Sequence, residues 1–140
     1  MAEPIPKKLL RRYLLPQGSD WQRRWQFKRR DVDGLYTPVD LADTQHAMVI
    51  KVARRLEADT LLTVNTIAPT VNGSVLTRIA DPEGDYLDLF LSNEDVEALP
   101  PRTLPAELKR RWIGSGREDS IFDIEWIVTP STVPDEAFSG

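Results

Sequence analysis

With 140 residues, 41% of them apolar and 8% aromatic, the chain has room for one domain with a real core and not for two comfortable ones. It contains no cysteine and a single histidine, His46, which excludes disulfides, thiolate metal sites, cysteine nucleophiles and any multi-histidine metal centre within one chain. The net charge of −4 conceals an asymmetry: residues 1–30 hold nine Lys/Arg against Glu3 and Asp20, a net of +7, and the other 110 residues carry a net of −11.

A basic segment on an acidic body suits nucleic acid, or the acidic body of a neighbouring copy. No apolar run approaches the roughly 20 residues needed to span a bilayer. The basic N-terminus lacks the apolar core and small-residue site of a signal peptide, so the expectation is a protein made in the cytosol.

Residues 1–19 read as an extended arm. Pro4, Pro6 and Pro16 interrupt any long helix and leave room for a short one over Lys7 to Leu15. Leu9, Leu10, Tyr13, Leu14 and Leu15 are too apolar for a solvated tail. With Arg11 and Arg12 they form the first predicted protein interface, docked on another subunit.

Trp21 to Lys28 alternates with period two. Trp21, Arg23, Trp25 and Phe27 point one way, as in a half-buried strand. Gly18-Ser19-Asp20 leads in, and Asp31-Val32-Asp33-Gly34 is the turn that ends it, with Gly34 available for positive φ. Thr44 to Arg55 is the next strand, with Met48, Ile50 and Val52 on one face and His46 near its start. Helix formers between Ala47 and Glu57 compete, but the β-branched Val49, Ile50 and Val52 favour the strand.

Asp59 to Thr66 predicts a shorter strand. Val71 to Ile79 predicts another, with Asn72-Gly73 as a tight turn inside or before it. Asp81-Pro82-Glu83-Gly84-Asp85 is a hairpin turn into Tyr86 to Leu91, whose leucines share one face. Ser92 is a good N-cap with Asp95 three residues on, and Leu99-Pro100-Pro101 stops the short helix between.

Residues 102–118 read as a long loop, flexible at Gly114-Ser115-Gly116 and helical at most over Ala106 to Trp112. Its basic stretch, Lys109, Arg110, Arg111 and Trp112, is the second predicted interface. Ser120 to Thr129 is the clearest strand: Phe122, Ile124, Trp126 and Val128 alternate with Ile121, Asp123, Glu125 and Ile127. Residues 130–140, with Pro130 and Pro134, form an extended tail. Six or seven short strands with one short helix predict an all-β, immunoglobulin-like β-sandwich over residues 20–129.

Residues that carry chemistry are sparse. Trp21 to Arg30 has the basic–aromatic texture of a single-strand nucleic-acid platform, yet period two sends its large rings to the face a core needs. Asp81, Glu83 and Asp85 offer oxygen ligands for calcium without the spacing of a calcium loop. Asp123 and Glu125, with Asp88, suggest paired glycosidase carboxylates, although outward acids on strands are ordinarily solvated. His46 alone makes no nucleophile system. The arm's leucines beside Lys7, Lys8, Arg11 and Arg12 also suit a membrane surface, a reading that its short, proline-flanked length disfavours. The expectation is a non-enzyme with no catalytic residue, cofactor or metal.

An ordered series of phrases remains: Gly18-Ser19-Asp20, Gly34, Thr37-Pro38-Val39-Asp40-Leu41, Met48-Val49-Ile50-Lys51, Asp85-Tyr86-Leu87-Asp88-Leu89-Phe90-Leu91-Ser92, Glu94, Ala98-Leu99-Pro100 and Phe122-Asp123-Ile124-Glu125. Over roughly residues 17–129 this series resembles the N-terminal immunoglobulin-like domain of upper baseplate proteins of tailed bacteriophages and related small phage tail proteins. The resemblance implies a structural virion protein, an adaptor in the tail tip, baseplate or neck. Its implied partners are other tail or baseplate proteins, with multiple copies in a ring, and neither membrane nor nucleic acid.

Overall fold

The computed structural model describes residues 10–131; Leu9 with the start of the predicted arm, and the predicted tail from residue 132, lie outside the described residues. The strands are β1 (Leu10–Pro16), β2 (Trp21–Gln26), β3 (Lys28–Arg30), β4 (Tyr36–Pro38), β5 (Thr44–Lys51), β6 (Thr60–Asn65), β7 (Val75–Ile79), β8 (Tyr86–Leu91), β9 (Thr103–Trp112) and β10 (Glu118–Thr129). One helix, α1 (Asn93–Glu97), lies between β8 and β9.

Five strands form one sheet in the order β1-β10-β9-β5-β6, and three form a second in the order β2-β8-β7; β3 and β4 make a separate hairpin. Alternation decides what each sheet buries. Met48 and Ile50 of β5, Leu104 and Leu108 of β9, and Ile124 and Trp126 of β10 meet Leu87, Leu89 and Leu91 of β8 and Leu76 of β7 in one core. With β5, β9 and β10 adjacent in one sheet and β2, β8 and β7 in the other, the chain is an all-β immunoglobulin-like sandwich.

Two expectations are corrected. Residues 10–16 are not an arm: β1 runs parallel to β10, from Leu10 opposite Asp123 to Pro16 opposite Thr129, and Leu15 is fully buried. The predicted boundary at residue 20 therefore cuts through the domain. Residues 103–112 are neither loop nor helix. Leu104, Ala106 and Leu108 face the core, and β9 is paired on both sides, with β10 and with β5. Those two ladders override the helix propensity of Ala106, Glu107, Leu108 and Lys109. Pro105 is tolerated because the β5 ladder ends at Ala106, so no partner on that side requires its missing N–H.

The turns follow their predicted chemistry. The Ser92 hydroxyl accepts the Asp95 N–H and caps α1. Gly84 has φ 124°, and a Cβ there would sit 2.9 Å from the Phe27 carbonyl oxygen, so glycine answers both the conformation and the close approach.

Candidate interaction surfaces

The first predicted interface divides between the two sides of its sheet. Leu15, Tyr13 and Arg11 point inward. Tyr13 joins an aromatic cluster with Trp21, Trp25 and Trp126, at centroid distances of 5.4, 6.2 and 5.5 Å. The Trp25 Nε1–H donates to its hydroxyl at 2.9 Å. Arg11 lies over the Phe122 ring at 5.5 Å. Only Leu10, Arg12 and Leu14 face outward, and Arg12 is tied to Glu125 at 2.8 Å.

The second predicted interface is occupied mostly within the chain. Arg110 donates two hydrogen bonds to Asp119, at 3.2 and 2.8 Å, and lies 4.3 Å from the centroid of Trp112. Arg111 pairs with Glu118 at 2.6 Å; this hydrogen bond and the positive charge of Arg111 hold the Glu118 carboxyl below its ordinary value. Strand β10 stands between this segment and β1, so the two predicted interfaces do not form one continuous patch.

The remaining acidic candidates are held as structural parts. The Asp85 carboxylate accepts from Leu41 N–H at 2.8 Å, Asp81 N–H at 3.1 Å and Arg78 Nε at 2.8 Å. Burial by itself would raise its pKa; these donors outweigh burial and hold it at about 2. Asp95 accepts from Thr70, Asn72 and Ser74, which pins the crossover before β7 onto α1. Burial opposes its ionisation, and the Ser74, Thr70, Asn72 and Ser92 donors bring its pKa below the ordinary value. Asp123 and Glu125 face Arg54, at 3.1 and 4.0 Å. Asp88 lies on the other sheet with Gln22 and Arg24, so the three carboxylates do not converge. Among the described residues no group of three or more His, Cys, Asp or Glu is placed to hold a metal ion.

His46 is buried against Phe27, with ring centroids 6.3 Å apart and 18° between planes, and its Nε2 has no hydrogen-bond partner among the described residues. Burial, then the positive charge of Arg110, lowers its pKa to about 4. The unfolded chain, with an ordinary histidine near 6.5, therefore binds more protons than the folded one between those values, and stability falls as pH drops through that window. Between pH 7 and pH 5 the wild type is expected to lose about 2 kcal/mol from this group. His46→Gln is expected to flatten that part of the profile in denaturant titrations; an unchanged slope would remove His46 as its cause.

Two exposed features had no strong signal in the sequence. The hairpin β3–β4 pairs Lys28 with Pro38, Arg29 with Thr37 and Arg30 with Tyr36. Its tip is organised by the Asp31 carboxylate, which accepts the N–H groups of Asp33 and Leu35 at 3.0 Å each, and by Gly34 at φ 80°. It displays Val32, Leu35 and Tyr36, of which Val32 is fully exposed. The second feature is a groove of about 530 Å3 on the outer face of the five-stranded sheet, lined by Val49, Ala53, Arg55, Leu56, Pro105 and Lys109 among others. The Asp31–Gly34 turn was readable; the strand pairing beyond it and the loop that curls over the sheet were not, because both depend on contacts between segments.

The chain is thus an immunoglobulin-like sandwich with two exposed surface features. No family model and no curated protein matches the chain. Among solved structures it is similar to the NK cell receptor Nkp44, a triggering partner in natural cytotoxicity, with 12% identity, a TM-score of 0.46, and 88% of this chain and 99% of that chain covered.

Proposed function

We propose that this chain is a structural virion protein of a tailed bacteriophage: a non-enzymatic adaptor in the tail tip, baseplate or neck that links ring components or fibres. The observation that carries the reading is a division of labour. The buried polar groups Asp85, Asp95 and Ser92 are spent on holding turns and the helix in place. Large apolar side chains stand in solvent at Val32, Leu35, Tyr36 and Leu56, where only another surface uses them.

The phrases behind the phage resemblance also meet in space. The Asp85 carboxylate holds the Leu41 N–H, and the Asp85 N–H donates to the Val39 carbonyl at 3.1 Å. They therefore support the sandwich, and the assembly contacts fall to surfaces beside them. Single-stranded nucleic acid is the weaker reading, because Trp25 is buried and Trp21 is packed against Tyr13 and Trp126, away from any base.

The test is direct. Particles purified from the encoding phage or prophage are expected to contain this chain, and antibodies against it to label the tail end or neck. Tailed particles that lack it would remove the reading.

A further inference from the structure

We infer that Asn72-Gly73 is a site of spontaneous hydrolytic modification. The Gly73 amide nitrogen displaces ammonia from the Asn72 side chain, and the aspartate or isoaspartate that results loosens the crossover before β7 from α1. The nucleophile lies in the same turn and the co-reactant is water, so the chemistry needs no partner and is independent of the virion reading.

Of the three asparagines, only Asn72 precedes a glycine. Both residues are exposed, in a turn closed by the Gly73 N–H on the Thr70 carbonyl at 2.9 Å. Gly73 has φ 95°, and among the described residues nothing beyond its chain neighbours lies within 4 Å of where a Cβ would be. Its nitrogen therefore has no side chain to crowd it against the Asn72 Cγ. Asn65 is placed differently. Its Oδ1 accepts the Ile67 and Ala68 N–H groups at 2.9 and 3.0 Å. The next nitrogen belongs to the β-branched Thr66 and is held by the His46 carbonyl at 3.0 Å. Asn93 precedes Glu94 and opens α1, so the helix fixes its backbone.

The step balances within the turn and one water. The bond to Thr70 opens, the Gly73 N–H gives its proton to solvent, and the nitrogen bonds to the Asn72 Cγ. The Cγ–Nδ2 bond breaks, and the nitrogen leaves as ammonia with a proton taken from solvent. Water then adds to either carbonyl of the cyclic imide. Opening one C–N bond restores the ordinary backbone with a side-chain carboxylate. Opening the other routes the backbone through the side chain and frees the α-carboxylate. Nothing is oxidised or reduced: an amide and water become a carboxylate and ammonium.

The contact made by Asn72 gives the change its effect. Its Nδ2 donates to Asp95 Oδ1 at 3.0 Å, on the carboxylate that also takes the Thr70 hydroxyl at 2.6 Å and the Ser74 hydroxyl. A carboxylate in place of the amide has acceptors only. One hydrogen bond is then lost, and two like charges face each other. The isoaspartate form also adds a backbone methylene to the turn, which displaces Ser74. That residue is fully buried. Its hydroxyl accepts the Ser92 N–H at 2.9 Å, and its own N–H donates to the Thr70 hydroxyl at 3.0 Å. Both products therefore act on the bonds that hold residues 70–74 to α1.

Ageing the full chain in mildly alkaline buffer, followed by tryptic peptide mapping, tests the site. Residues 56–78 fall in one tryptic peptide that holds both Asn65 and Asn72. Conversion is expected at Asn72, with isoaspartate the larger product, while Asn65 and Asn93 stay intact. The folded chain is expected to convert more slowly than the isolated peptide, because the bond to Thr70 must open first. Aged wild type and fresh Asn72→Asp are each expected to melt roughly 3–6 °C below fresh wild type. The Asn72→Asp deficit is expected to shrink as pH falls through the carboxylate range. Asn72→Gln, aged in parallel, is expected to keep its Tm. An Asn72 that stays intact in the folded chain while the peptide converts would overturn the site. A converted chain, or Asn72→Asp, that melts with fresh wild type would overturn the loosening.

Discussion

A chain truncated to begin at Gln17 is expected not to fold. Strand β1 supplies the fully buried Leu15 and the half-buried Tyr13, and it covers the flank of β10 from Asp123 to Thr129. Burying one large apolar side chain contributes ~1.5–3 kcal/mol, and each ladder hydrogen bond adds a net ~0.5–1.5 kcal/mol. Losing both side chains and the ladder therefore removes more than about 5 kcal/mol, comparable with the entire stability of many domains. The loss also leaves Trp25 without the Tyr13 hydroxyl that accepts its N–H. Loss of the cooperative transition in urea, followed by tryptophan fluorescence, is the expected reading. A truncated chain with a wild-type transition would return residues 10–16 to the status of an arm.

Asp85→Ala is expected to be the most damaging single polar substitution. The carboxylate is buried and serves three donors: two backbone N–H groups and the Arg78 guanidinium. Removing it leaves the two backbone N–H groups unanswered at about 1–3 kcal/mol each, while the more exposed Arg78 guanidinium turns to solvent; the expected fall in Tm is roughly 5–20 °C. The pH dependence identifies the cause. The folded pKa of about 2 lies below the ordinary carboxylate value, so the stabilisation is complete above that ordinary value and disappears as pH falls through about 2. It amounts to about 2 kcal/mol. Asp85→Asn, which cannot titrate, is expected to lack that acid-range component; a wild-type acid profile in the Asn variant would assign the effect elsewhere.

The candidate site was less legible than the fold. Trp126, Phe122 and Ile124 announced the inward face of β10 because alternation is a local property of the chain. Arg11 and Tyr13 did not announce β1, since an arginine on the inward face breaks the apolar pattern that marks a strand. Leu15 and Tyr13 were rightly read as too apolar for solvent, but their burial partner is the same chain; Leu10 and Leu14, read the same way, stand exposed on the outer face. The arginines at 110 and 111 looked available because Asp119 and Glu118, which pair with them, lie on the neighbouring strand across a turn. The hairpin tip and the groove carried no composition signal: Val32, Leu35 and Leu56 are common residues whose exposure depends on where the surrounding segments pack.

What the amino-acid sequence determined by itself is local: the alternating strands, the Ser92 cap, the turns at Asp31–Gly34 and Asp81–Asp85, and hence the sandwich class. Each follows from backbone preference, side-chain period or a hydrogen bond spanning a few residues. The tertiary structure alone decided that β1 joins β10 in parallel, that residues 103–112 form a central strand, and which carboxylates the arginines at 12, 54, 78, 110 and 111 meet. Those outcomes depend on ladders between segments up to 113 residues apart, such as Leu10 with Asp123, and a linear pattern does not encode which of several compatible partners will meet.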